Sequence, residues 1–281
     1  LAYGQFPTTL KPTDTARRLA KVPCEKACAI DAGNTDIVFG LHDGNDWLHH
    51  WRMPSRTEPS QAAWQYRLVS ELLEIGHKPA AIQGAIISSV VPALTNPLRE
   101  MLALVIGREP WVLDAKLFPR LSVKVINTEE IGADLVANAA AAYARFKSKC
   151  VVVDFGTALT FTTIAADGTI LGVAIAPGLK TAIRALFTHT AQLPEVPLER
   201  PHSVLGKNTI HAIQAGVVVG YTGMVKHLLS VIKTEIGDDC TTIATGGLSS
   251  VLTDLDEVFD HKDRMLTMDG LISIAQQLSE S

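Results

Sequence analysis

Two short segments of this chain set a carboxylate two residues ahead of a glycine and follow it with hydroxyl or amide side chains. In the first, Asp31, Ala32, Gly33, Asn34 and Thr35 follow the apolar run 27–30 and lead through Asp36, Ile37 and Val38 into a second apolar run. In the second, Asp154, Phe155, Gly156 and Thr157 follow the run 150–153 and lead into 159–164. A strand that ends in an acid, turns on a glycine and resumes as a strand holds the carboxylate at its tip. The glycine omits the Cβ that would keep a phosphate away from backbone N–H groups, and Thr or Asn adds further donors. One such segment is also an ordinary hairpin turn. Two of them, each behind a buried-looking strand, point to a phosphate and cation site between facing turns, to phosphoryl-transfer chemistry, and to an internal duplication. A third acid, Asp134, follows Gly132 and Ala133 at the start of an alanine-rich segment. In the first turn of a helix it would be favoured by the dipole.

The elements that must position these acids are legible as alternation and helical spacing. Strands are expected at 27–31, 37–41, 47–53, 85–89 and 111–113. A helix with Ala62, Tyr66, Val69, Leu72 and Leu73 inward ends at Gly76; another opens on Asn96 as N-cap with Pro97 at its first position and ends at Gly107; a third spans 133–146. The second half repeats the plan, with strands at 151–154, 159–165, 170–175 and 241–245, the last followed by Gly246 and Gly247, and helices at 179–191 and 208–235. The expected class is α/β, as two duplicated ribonuclease-H-like lobes, 26–146 and 147–281, each with a mixed sheet and with a nucleotide cleft between them. Residues 1–25 read as a disordered extension. In the helix after Asn208, Ala212, Gly216, Gly220 and Gly223 fall on about one face. Each interior glycine costs ~1 kcal/mol relative to alanine, so a second backbone is expected against that face, from the sister lobe or, preferably, a second subunit.

The bulk numbers exclude several classes. With 281 residues, 47% hydrophobic and 19% charged, the chain can bury two cores. A net charge of −4 without a dense Lys/Arg stripe argues against nucleic acid as a partner. The charge-free stretch 208–225 falls short of the ~20 apolar residues of a membrane span. Four cysteines form neither a CxxC pair nor a disulfide framework, which fits a reducing cytoplasm. His49 and His50 lack partners at metal spacing.

Taken in order, these motifs resemble type III pantothenate kinases, members of the superfamily of acetate and sugar kinases, Hsp70 and actin. The resemblance runs from Ala29 to Leu271. Besides the segments above it rests on Trp51-Arg-Met53, Ser88-Ser-Val-Val-Pro92, Ile175-Ala-Pro-Gly-Leu179, Gln192-Leu-Pro194, Gly206-Lys-Asn-Thr209 and Ala244-Thr-Gly-Gly-Leu248. It implies ATP-dependent phosphorylation of pantothenate by a cytoplasmic homodimer whose acceptor site lies near the interface. It further implies that Asp31 through Val38 and Thr157 contact ATP, which carries Mg2+. Asp154 would hold a monovalent cation, potassium or ammonium; Gly132, Ala133 and Thr209 would line the pantothenate site; Asp134 would be the base.

The chain departs from the family pattern on the acceptor side. Leu135 stands where the family has an arginine, Val125 where many members have an aromatic residue, Thr162 where many have an acid, and Val173 in place of a second glycine. A carboxylate such as pantothenate's needs a cationic or donor-rich partner; Lys180, Arg184 and Lys207 are candidates. Two alternatives therefore stay open: a catalytically weak nucleotide-binding paralogue with a regulatory role, and a kinase of another small primary alcohol.

Overall fold

The computed structural model describes residues 26–55, 61–190, 193–247 and 253–280. The expectation for residues 1–25, and the motif positions Gln192 and Leu248, lie outside the described residues.

Two five-stranded sheets have the same topology. In the first, β1 (Ala27–Ala32), β2 (Asp36–His42) and β3 (Trp47–Pro54) form an antiparallel meander, and β4 (Gly84–Ser89) and β5 (Trp111–Val112) extend it in parallel on the other side of β1. In the second, β6 (Cys150–Phe155), β7 (Ala158–Ile164) and β8 (Ile170–Pro177) form the meander, and β9 (Thr241–Thr245) and β10 (His261–Lys262) the parallel wing. The duplication seen in the two turns thus extends to whole sheets.

Five layers result. Helices α1 (Gln61–Glu74) and α2 (Pro92–Ile106) cover the outer face of the first sheet around Ile30, Phe39, Leu68 and Met101. Helix α4 (Leu179–His189) and the helical run α5 (Thr209–Gln214), a π-helical segment at 215–219 and α6 (Gly220–Ile236) cover the outer face of the second, around Val153, Phe161, Val218 and Leu229. Between the sheets lie α3 (Ala133–Phe146) and α7 (Leu266–Glu280). Strand β1 is buried on both faces, with Ala27 and Ala29 in the central core and Cys28, Ile30 and Ala32 in the outer one. The alternation gives Asp31 an inward slot. Strand β6 does the same, with Cys150 and Val152 inward and Asp154 next in phase.

Four expectations are corrected. Helix α2 begins at Pro92, and Pro97 lies inside it: both prolines fit an N-terminal turn by type, but β4 ends at Ser89 and Val91 is the extended N-cap residue. The buried side of α1 is Trp64, Leu68, Glu71 and Leu72, with Tyr66 and Leu73 exposed. Tyr66 and Leu73 are apolar enough to mimic a core face one step out of phase. The helix read as 208–235 is interrupted by the π segment. Finally, Thr209–Ile236 spans 28 residues and contains an 18-residue window with a mean hydropathy of 1.4, long and apolar enough to cross a membrane by length and composition. The charge at Lys226 does not end the run. Ile213, Val217, Val218, Val225 and Leu229 from it pack in the outer core of the second sheet.

The central layer is thin because its side chains are small. Ala137 and Ala139–Ala142 of α3 are all buried, and Gly270 of α7 lies so close that a Cβ there would collide with the Ala137 carbonyl. Overpacking costs ~3 kcal/mol at its upper end and the Gly-to-Ala gain in helix propensity returns ~1 kcal/mol. Gly270→Ala is therefore expected to destabilise the fold by about 2 kcal/mol, seen as a lower urea midpoint at unchanged slope.

Candidate active site

A cleft of about 340 Å³ opens between the sheets. Its walls include Asp31, Gly33, Asn34, Thr35, Asp36 and Val38 from the first turn, Asp134 from α3, and Asp154, Gly156 and Thr157 from the second turn. The two turns touch: Thr35 Oγ1 and Thr157 Oγ1 share a hydrogen bond of 2.9 Å across 122 residues of sequence. Each turn is closed by its own backbone, Gly33 N–H donating to Asp36 O at 3.0 Å and Gly156 N–H to Ala158 O at 3.1 Å. Ala32 and Ile37 point the other way, into the outer core.

Asp134 lies in the first turn of α3, where Gly132 is the extended N-cap residue. A Cβ on Gly132 would stand 2.5 Å from Asp134 Oδ1, so glycine leaves the carboxylate its room. Asp134 accepts from the Leu135 N–H at 2.8 Å. One turn on, Asn138 donates to Asp154 Oδ2 at 3.0 Å and accepts from the Thr267 hydroxyl of α7 at 2.8 Å. A buried asparagine in a run of alanines was the available sign of this role in the sequence.

Three carboxylates share this space, and each is pushed up. Asp31 keeps some surface open to the cleft but is otherwise enclosed; burial, then the Asp134 and Asp154 carboxylates, raise its pKa to about 7 against a pull downward from the Ser88 hydroxyl. Burial also raises Asp154 to about 6, with the Asn138 amide opposing and Asp134 adding to the rise. Asp134 is raised by burial and drawn back by the Leu135 N–H. Cross-strand neighbours of Asp154 on both sides, Thr160 and Thr245, are buried, line the cleft, and have hydroxyls without hydrogen-bond partners among the described residues. Gly246, at φ +88°, passes so close to Asp154 that a Cβ would stand 2.5 Å from Oδ1. The arrangement offers oxygen ligands and negative charge at the base of a cleft whose rims carry backbone donors, Lys180, Arg52 and Arg264.

The remaining expected site residues lie elsewhere. Ala133 and Leu135 are buried in the central layer, and Val125 packs against the same core. Thr209 is exposed and lines a separate groove with Leu186, Lys207, Asn208 and Gly216. Sequence reasoning gave Arg52 no role beyond the Trp51-Arg-Met53 motif and missed Thr181, Arg264 and Thr267, which reach the cleft from the start of α4 and from the loop and first turn around the start of α7 without any motif of their own. Among the described residues no three His, Cys, Asp or Glu side chains gather as a metal-binding group.

The raised carboxylates make a signed prediction. An Asp whose folded pKa lies above its unfolded value binds more protons when folded, so it contributes stability at low pH that is lost as pH rises through the folded pKa. For Asp31 that loss runs from about pH 4 to above 7. Asp31→Asn removes it: relative to wild type the ligand-free variant gains stability at pH 8, and the gain shrinks toward pH 5. Thermal melts of both proteins across that range check it.

Comparison with known proteins agrees with this geometry. The family model of type III pantothenate kinase matches residues 28–231. A type III pantothenate kinase of Treponema pallidum (strain Nichols) is 44% identical over 259 residues, covering 90% of this chain and 94% of that protein. One from Moorella thermoacetica is 38% identical over 247 residues, covering 86% and 96%. Among solved structures, an activator of 2-hydroxyisocaproyl-CoA dehydratase from Clostridium difficile with bound ADPNP superposes with a TM-score of 0.54 at 11% identity, covering 91% of this chain and 94% of that one, which bears on the fold alone. Two matching sheets, a cleft with facing acid–glycine turns and identity of this extent lead to one conclusion: the chain belongs to the type III pantothenate kinase family.

Proposed function

We propose that the cleft carries out the family's reaction, transfer of the γ-phosphoryl group of ATP to the primary hydroxyl of pantothenate, with Asp134 as the base. The observation that carries this reading is the meeting of the two turns at Thr35 and Thr157 with Asp134 in the same cleft. A phosphoryl group is transferred through a loose transition state, so catalysis comes mostly from positioning and charge stabilisation. Gly33 through Val38 and Thr157 would hold the phosphates with backbone and hydroxyl donors. Asp134 takes the proton of the attacking hydroxyl as the new P–O bond forms and the bond to ADP breaks. Burial raises its pKa and so strengthens it as a base.

The cations fit the donor set. Mg2+ is held by one or two carboxylates together with substrate phosphates, and Asp31 is the carboxylate of the first turn. It would neutralise charge on the phosphates. A monovalent cation, potassium or ammonium, would be held at Asp154, where the unpartnered oxygens of Thr160 and Thr245 flank the carboxylate. These hydroxyls support the assignment because buried oxygens without partners are costly unless something else engages them.

The acceptor side calls for a second copy. Thr209 is the one acceptor residue read from the family that lines a different groove. Around it Gly216, Gly220 and Gly223 face open space, and Leu186, Phe187, Ile210 and Val219 are exposed. A homodimer that covers this face would bring the partner's Thr209 toward the acceptor. The lobe division at 147–149 remains our reading, with α7 tying the second half of the chain to β1 and β4 of the first sheet. A cytoplasmic enzyme without nucleic-acid or membrane partner fits the charge of −4 and the free Cys28, Cys150 and Cys240.

The test is ADP release by purified protein with and without pantothenate, in potassium and again in sodium. Pantothenate-dependent release, faster in potassium, is expected; ATP binding without stimulation by pantothenate would turn the assignment toward another primary alcohol, a reading that the buried Leu135 favours. Asp134→Asn is expected to lower turnover by ~10²–10⁴-fold with the melting temperature kept or raised, since it removes one of three crowded carboxylates. Near-normal turnover would end the assignment of the base. Light scattering should give the mass of two chains, and a monomer would leave Thr209 without a role.

A further inference from the structure

Behind the second turn lies a series of hydrogen bonds that ends outside the cleft. Tyr221, the second residue of α6, donates its hydroxyl to the Pro177 carbonyl at 2.6 Å and stands 3.5 Å from the Gly178 carbonyl. Pro177 ends β8 and Gly178 caps α4. From there Gly178 N–H donates to Thr157 O at 3.0 Å, and the Thr181 hydroxyl donates to the same oxygen at 2.7 Å. A Cβ on Gly178 would collide with the carbonyls of Gly156 and Thr157, so junction and turn touch backbone to backbone. The series then crosses the cleft through the Thr157–Thr35 hydroxyl pair.

The helix is built to deliver Tyr221 to this point. Five residues of π-helix, 215–219, immediately precede α6. A π turn takes up one extra residue and rotates everything after it relative to what came before. With it, Val217 and Val218 and then Val225 and Leu229 all stay in the outer core, while Tyr221 packs at that core's edge with its hydroxyl on the β8–α4 junction. Such segments are rare and are found at functional sites.

We propose that Tyr221 is a positioning residue for phosphoryl transfer: through the Pro177–Gly178 junction it fixes Thr157 and the first turn of α4, with Lys180 and Thr181, at the phosphate end of the cleft. It is not among the residues that line the cleft. The proposal rests on the reading of Thr157 as an ATP contact and goes beyond it by naming what holds Thr157 in place.

Tyr221→Phe removes the hydroxyl and leaves the ring in its core. The expected result is a KM for ATP raised about 3–10-fold, the size of one lost hydrogen bond, with the KM for pantothenate within twofold of wild type and the melting temperature nearly unchanged. Thr181→Val, which removes the other side-chain donor to Thr157 O, should give the same signature. Thr157→Ala should itself weaken ATP, and adding Tyr221→Phe to it should cost less than Tyr221→Phe costs alone, because part of the Tyr221 effect runs through Thr157. If Thr157→Ala weakens ATP while Tyr221→Phe leaves its KM untouched, raises both KM values equally or acts additively, the role of Tyr221 is overturned and the cleft reading survives. If Thr157→Ala leaves ATP binding intact, the reading of Thr157 fails and takes this inference with it.

Discussion

The separation of the two acid–glycine turns is set by a single layer of two helices. Helices pack with axes 8–10 Å apart depending on the side chains between them, and α3 meets α7 at alanine and glycine, with Gly270 against the Ala137 carbonyl. Both sheets lean on this layer, through Ala29 and Ile86 on one side and Val152 and Ile243 on the other. A thicker layer would part the sheets and pull Thr35 away from Thr157. The helix that sets the spacing also carries Asp134 at its start and Asn138 one turn further on, so cleft width, the Asp134 carboxylate and the amide that orients Asp154 are fixed by one element. That is why a helix of small residues is buried along most of its length here: side-chain volume would be bought at the expense of the site.

The cleft is electrostatically unfavourable on its own. Unit charges 4 Å apart interact by ~4 kcal/mol at an effective dielectric constant near 20, and Asp134 raises both Asp31 and Asp154, and Asp154 raises Asp31, on top of burial. Nothing in the fold requires them to be there; alternation along β1 and β6 would accept apolar residues at both positions. Cations entering with a nucleotide would relieve that repulsion, and whatever binds only the folded state adds its binding free energy to stability. A cleft that resists its own charge is consistent with one whose ligands complete it.

Much of this was legible in the chain. Helix α3 runs from Ala133 to Phe146 as read, because Gly132 is extended before it and Lys147 takes the left-handed conformation after it. The two turns were legible because an acid, a glycine and a hydroxyl at fixed offsets repeat behind similar strands. What escaped the reading depends on tertiary contact. Two prolines five residues apart both suit a helix start, and only the end of β4 decides for Pro92. The phase of α1 is set by Trp64 and Leu68 against the sheet, which outweighs the apolar but exposed Tyr66 and Leu73. The π segment has no composition of its own. Tyr221, Thr181 and Arg264 join the site through folding that brings distant elements together, and no local pattern marks them.

Leu135 divides the candidates for the missing acceptor cation on physical grounds. It is 7% exposed in the central layer, where a charge would need a partner to offset its desolvation; leucine there removes that requirement. Arg52 is turned toward Asp36 at 4.0 Å and lowers the neighbouring Asp31, so part of its charge is already engaged. Lys180 lines the cleft, is exposed, and has no ion pair among the described residues. Lys207 lines the other groove, beside Thr209. The two lysines therefore imply different enzymes. Lys180 would meet the acceptor from within the same chain, near the phosphate turn and the helix start that Tyr221 holds. Lys207 would meet it only across a dimer, arriving with the Thr209 of the second copy, and its contribution would vanish with dissociation while that of Lys180 would not.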